Sequence, residues 1–178
     1  MKYFAGIDPG VNGALVVLNQ DGKLLEVFMI PKVGSTTEVD KKALVEMFAD
    51  FYARYGEDLK HLVMENVHAI FGSAAGATFT FGGIVWAEET QLLTYGIPYT
   101  LVTPKEWQKE MWQGVTPLRK PSKKDEKTGK VREGSILTKE TTIIVVGRLF
   151  PNVDLTDPTK SRSKKIHDGI ADDILLAE

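Results

Sequence analysis

Short apolar runs rich in β-branched and aromatic residues alternate with turn formers at the start of the chain. They run Tyr3 to Asp8, Pro9-Gly10-Val11-Asn12-Gly13, Ala14 to Leu18, Asn19-Gln20-Asp21-Gly22, and Leu24 to Ile30. This punctuation predicts an antiparallel meander of three strands. The period then lengthens. Leu44, Met47, Phe48, Phe51, Tyr52 and Tyr55 fall at offsets of three and four, between a capping Asp40 and Gly56, and predict a helix. A short strand, His61 to Glu65, is followed by the small-residue stretch Gly72 to Ala77 and a helix reaching about Tyr95, its start weakened by Gly82 and Gly83. Ile97 to Val102 reads as another strand, and Thr103-Pro104 opens a short helix through Trp112. Helical signals return from Thr138 to Phe150, stopped by Pro151. A final helix is expected from about Ser163, with Ile166, Ile170, Ile174 and Leu175 on one face. The order β-β-β-α-β-α-β-α-α joins an antiparallel hairpin pair to a βαβ unit. It predicts an α/β fold of three layers, one mixed sheet with helices on both faces.

A chain of 178 residues, 43% hydrophobic and 26% charged, carries enough apolar residues for one core, so residues 1–178 are expected to form a single domain. The absence of cysteine excludes disulfides, thiolate zinc sites and cysteine nucleophiles, leaving oxygen or histidine for any metal. The N-terminal apolar run is broken at Asp8, too early for a signal peptide or a membrane span, which points to a cytoplasmic protein with no membrane partner. The net charge of −2 conceals an asymmetry: residues 1–116 carry 9 basic and 14 acidic side chains, residues 117–178 carry 13 and 10. Residues 113–136 lack an apolar period and hold much of the excess positive charge, and they read as a long, flexible basic loop. Such a loop suits a polyanion, although lysine runs are more often simply solvated.

Acidic residues supply the candidate chemistry. Asp8 ends the first predicted strand and Glu65 the fourth, and strand ends are where α/β sites are built. If those strands are parallel neighbours, as a crossover through the helix at 40–55 permits, the two carboxylates lie side by side and repel. A third source is His167-Asp168-Gly169-Ile170-Ala171-Asp172-Asp173, where Asp168 and Asp172 are four apart and share a helix face. Each residue alone has a plainer explanation: Asp before Pro-Gly forms turns, Glu65 can pair with a lysine, and acids suit the first turn of a helix. Jointly they point to a divalent cation held by oxygen, Mg²⁺ or Mn²⁺. Two such ions about 3.5–4 Å apart are the usual device for in-line attack on a phosphodiester, so nuclease chemistry is expected.

Gly6-Ile7-Asp8-Pro9-Gly10 with Gly13-Ala14, then Met64-Glu65-Asn66, then His167-Asp168-Gly169-Ile170-Ala171-Asp172 resemble the RuvC-like Holliday junction resolvases, especially phage-type members, within the RNase H-like superfamily. Thr103-Pro104 and Arg148-Leu149-Phe150-Pro151 extend the resemblance over nearly the whole chain. It implies a five-stranded mixed sheet and a homodimer. It also implies nicking of four-way DNA junctions with two Mg²⁺ ions per active site, leaving 5′-phosphate and 3′-hydroxyl ends. By resemblance, Asp8 matches the family's first-strand aspartate, Glu65 its fourth-strand glutamate and Asp172 its final-helix aspartate. The remaining family ligand lies three residues before that last aspartate, where this chain has Gly169, so Asp168 or His167 serves instead. The spacing of four favours Asp168, and Asp173 reads as a helix-surface acid. A family lysine after the fifth strand corresponds to Lys105 or Lys109, and Lys139 fits a second.

A junction is held chiefly through phosphates, which the basic loop with Lys123 and Lys124, and Lys160, Arg162, Lys164 and Lys165, can contact. Phe71, in the loop after Glu65, is a candidate wedge for bases at the crossover, and Phe79 and Phe81 cannot both face inward on one helix. Symmetrical nicking calls for a two-fold dimer, expected through the helix at about 78–95. Three alternatives stand beside this reading. The first is another RNase H-like nuclease acting on branched DNA or RNA:DNA hybrids, the second a junction-binding protein with weakened catalysis. The third, a sugar-kinase or actin-like ATPase, is disfavoured by the short chain. No Gly-x-Ser-x-Gly elbow, GxGxxG or Walker loop occurs.

Overall fold

A computed structural model describes residues 1–67, 74–124, 129–160 and 165–178. Strands β1 (Tyr3–Ile7), β2 (Ala14–Asn19) and β3 (Leu24–Met29) form the expected meander. Helix α1 (Lys41–Tyr55) crosses over to β4 (Leu59–Glu65), and α2 (Ala75–Thr94) to β5 (Tyr99–Val102). The sheet order is β3-β2-β1-β4-β5, with β1 antiparallel to β2 and parallel to β4, and β4 parallel to β5. Helices α3 (Pro104–Met111), α4 (Thr138–Leu149) and α5 (Asp168–Ala177) complete the main body. The result is the anticipated five-stranded mixed sheet with helices on both faces.

Residue parity along the strands decides what each layer buries. Ala5, Ile7, Leu15, Val17, Leu62 and Met64 face α1 and α2, where Leu44, Phe48, Phe51, Ile84 and Leu92 pack on them. Ala14 and Val16 face the other way, onto Trp107, Val145, Val146, Ile170, Ile174 and Leu175 of α3, α4 and α5. Because β2 is covered on both faces, Ala14 to Leu18 is a continuous apolar run rather than an alternating one. Asp40 caps α1 by accepting a hydrogen bond from the Ala43 backbone N–H at 3.0 Å. Thr103 and Glu106 form a capping box at α3. No helix among the described residues is long and apolar enough to cross a membrane.

Two expectations differ from what is found. The last helix begins at Asp168, not near Ser163. Ile166 pairs instead with Thr156, the His167 N–H donates to the Leu155 carbonyl at 2.7 Å, and Ile166 stays 47% exposed. The basic segment expected to be a loop contains an antiparallel arm, β6 (Lys123–Lys124) against β7 (Val131–Arg132), extended towards its base by pairing of Arg119 with Ile136. Its strands carry no apolar alternation because both faces meet solvent, so periodicity had nothing to register.

Candidate active site

Strand parity brings the two strand-end acids together. Ile7 is level with Met64 in the parallel β1–β4 pair and both face α1 and α2, so the next residues, Asp8 and Glu65, turn towards α5. The Asp8 and Glu65 carboxyls lie side by side, close enough to share a proton, and the charges of Asp172 and Asp168 reach Asp8 as well. Burial, then these neighbouring charges, push Asp8 well above the usual carboxylate range. Asp172 is pushed up to about 7, first by burial and then by Glu65 and Asp168, with Thr142 and Lys139 offsetting part of the rise.

Each remaining acid has a partner that fixes it. The Trp107 indole N–H of α3 donates to Glu65 Oε1 at 2.7 Å. Lys139 of α4 forms an ion pair with Asp168 at the first position of α5. Partial burial opposes ionisation of Asp168, but the Lys139 ammonium outweighs it and holds that carboxyl below its ordinary value. The Lys139 ammonium is raised in turn, chiefly by its hydrogen bond to Asp168. An open cleft of about 490 Å³ runs over Asp8, Asn12, Phe81, Lys139, Asp168 and Asp172.

With these engagements the acids do not close into a ready-made cage: no group of three or more His, Asp and Glu among the described residues stands in metal-binding array. The donor set nevertheless fits a hard divalent cation on one observation. Asp172 Oδ1 is buried with no hydrogen-bond partner, beside carboxyls that raise one another's proton affinity.

No protein-family model matches the chain, and no curated protein matches it in sequence. Solved structures do. The fold is similar to Thermus thermophilus RuvC in complex with a Holliday junction substrate, with a TM-score of 0.61 and 14% identity over 99% of this chain and 90% of that one. A second Thermus thermophilus RuvC structure gives 0.59 and 16% identity over 98% and 90%. The chain has the RuvC-like, RNase H-like fold. A Cβ on Gly169 would lie 2.9 Å from the Asn12 carbonyl oxygen and 3.2 Å from the His167 ring, so a side chain there would have to displace its neighbours, and the adjacent Asp168 lines the cleft. His167 is half-buried with Nδ1 unpartnered, and burial lowers its proton affinity.

The predicted DNA contacts are scattered. Lys165 lines the cleft, and Lys139 is engaged with Asp168. Lys105 and Lys109 stand exposed a turn apart on α3, on the side away from Trp107, and are not brought to the acids. Lys123 and Lys124 lie on the arm. Phe71 and Lys164 fall outside the described residues. Phe81 reaches the cleft, whereas Phe79 is 85% exposed.

Asp173 is not a surface acid. It is fully buried, and its Oδ1 accepts the backbone N–H of Asp8, anchoring α5 to the end of β1. Glu88 of α2 is also fully buried, with neither carboxylate oxygen hydrogen-bonded. Burial holds both groups well above the usual carboxylate range, and the charge of Asp8 adds to it. Sequence reasoning passed over Glu88 and misplaced Asp173, yet helical spacing marks both. Glu88 continues the buried series Ile84, Glu88, Leu92, and Asp173 falls among Ile170, Ile174 and Ala177.

Proposed function

We propose that the chain is a structure-selective endodeoxyribonuclease that resolves four-way DNA junctions, leaving 5′-phosphate and 3′-hydroxyl ends. The observation that carries this is the adjacency of Asp8 and Glu65 on neighbouring parallel strands, with Asp168 and Asp172 of α5 facing them, in the fold of a protein solved with a Holliday junction. Asp8, Glu65, Asp172 and Asp168 are the groups that would hold two Mg²⁺, or Mn²⁺, per site. Bound there, the ions would supply an activated water and neutralise charge on the phosphodiester in flight. Trp107 fixes the Glu65 carboxylate, and Asp173 fixes the Asp8 backbone, so both donors are pre-oriented. Lys139, at the rim between acids and solvent, is placed to exchange Asp168 for a substrate phosphate once cations balance the carboxylates.

Paired nicks require two sites, and α2 offers a surface for a second copy. Phe79, Trp86 and Leu93, one residue every two turns, are 85%, 75% and 64% exposed, on the face opposite the buried Ile84, Glu88 and Leu92. Gly82 and Gly83 leave open space along the same face.

The test is cleavage of a labelled four-way junction with Mg²⁺. Paired nicks that vanish in Asp8→Asn and Glu65→Gln support the proposal, and an uncut junction beside an active resolvase control refutes it. The engagement of Asp168 by Lys139 favours one second reading, a junction-binding protein with weakened catalysis. In that case the junction is bound but left uncut in Mg²⁺, and Asp8→Asn changes little. Other branched DNAs and RNA:DNA hybrids in the same panel define the breadth of substrate.

A further inference from the structure

The paired arm between α3 and α4 has a shape and charge that the core fold does not call for. Arg119 pairs with Ile136, Lys123 with Arg132 and Lys124 with Val131, one unbroken antiparallel register running up from Leu118 and Leu137, where the Leu137 N–H donates to the Leu118 carbonyl at 2.8 Å. The strands cross closely enough that a Cβ at Gly134 would overlap the Lys120 carbonyl. Both faces lie in solvent, including Val131 at 68% exposure, so the ribbon gains almost nothing from apolar burial. A lone two-stranded hairpin is marginal in water, and like charges directly opposite, as at Lys123 and Arg132, weaken it further. Arg119, Lys120, Lys123, Lys124, Lys130 and Arg132 are set against one acid among the described arm residues, Glu133, which pairs with Arg119 at 3.3 Å. Asp125, Glu126 and Lys127 lie outside the described residues.

The base of the arm is fixed to the site. The Leu118 N–H donates to the Thr141 hydroxyl at 3.0 Å, and Leu137 is the N-cap of α4, two residues before Lys139. From that root the seven residues 118–124, which face 131–137 in one register, reach up to about 20 Å at about 3.3 Å per step, the length of about six base pairs. The described arm residues include no aromatic side chain on which an unpaired base could stack.

We propose that this arm lies along the duplex flanking the cleavage point and grips its phosphates, so that the enzyme measures the length of one double-helical arm as well as recognising the branch. The inference rests on the nuclease reading above. The test uses the full chain in EDTA, with fluorescence anisotropy on four-way junctions whose arms are about 20 or about 5 base pairs long, and on a linear duplex of about 20. The triple variant Lys123→Ser, Lys124→Thr, Arg132→Thr touches exposed side chains only, and its melting curve checks folding. On long-armed junctions it should lose at least tenfold in affinity, and the slope of log K against log salt should fall by about 3, one for each phosphate contact released. On the short-armed junction, which ends before the protein arm does, the variant should lose clearly less affinity than on the long-armed one. Equal salt slopes on long arms, or an equal loss on short arms, overturn the proposal. Failure of the nuclease reading looks different: the wild type leaves junctions uncut with Mg²⁺, while the variant still loses salt-dependent affinity for the linear duplex.

Discussion

Replacing Asp172 by Asn should remove much of the alkaline weakness of the metal-free protein. Asp172 titrates at about 7 in the folded chain against an ordinary 3.8, first because it is buried and then because Glu65 and Asp168 repel its charge. With a raised folded value, the stability it lends is fully present below about pH 4. As the pH climbs towards 7, the unfolded chain sheds this proton while the folded chain keeps it, at about 1.4 kcal/mol for each pH unit. Over that window the loss is about 4 kcal/mol, a large part of the roughly 5–15 kcal/mol that holds a domain together. Asp8, Asp173 and Glu88 are displaced in the same direction and add to the slope. Asn keeps the shape and never ionises. Urea unfolding in EDTA, followed by circular dichroism at intervals between pH 4 and 8, should therefore show a wild-type midpoint that falls with pH and a variant whose fall is smaller by most of that amount. Mn²⁺ at pH 8 should restore the wild type more than the variant. Parallel profiles for the two proteins would show that the Asp172 carboxyl does not carry the strain assigned to it.

Asp173→Ala should cost about 1–3 kcal/mol by orphaning the Asp8 backbone N–H, while Asp173→Asn keeps an acceptor and should unfold close to wild type. Equal losses in urea would mean that the hydrogen bond is not what matters. Gly169→Ala should lower the melting temperature, since its methyl must displace the Asn12 carbonyl, at about 1–3 kcal/mol for a forced overpacking; an unchanged melt would show that this turn yields freely. Trp86→Glu, on the exposed face of α2, should convert a dimer to a monomer in sedimentation and abolish paired but not single nicks. A dimer that survives the change would place the interface elsewhere.

Asp8 and Glu65 were readable because a strand end and a crossover leave few arrangements: once β1 and β4 are parallel neighbours, the two positions must be adjacent. Helix α1 was readable because its apolar stripe, capping Asp40 and terminal Gly56 agree with one another. Asp173 was misread because adjacent acids suggest a solvated surface, and only the apolar spacing around it shows that it points inward. Glu88 was hidden by a helix that is apolar on both sides, so its buried and exposed faces are indistinct in sequence. The arm was missed for the opposite reason, since a ribbon wet on both faces has no pattern to detect. Which oxygen meets which neighbour, as in Trp107 on Glu65 or Lys139 on Asp168, depends on tertiary placement that no local spacing encodes.

Helix α5 packs on β1 and β2, at the opposite end of the sequence from the strand whose terminal acid it faces. During translation, a ribosome that has delivered everything up to α4 has therefore released Asp8 and Glu65 without Asp168 or Asp172. On the proposed reading, a growing polypeptide thus carries the basic arm but only half of the acid set, and the candidate site is assembled only when the last structural layer docks.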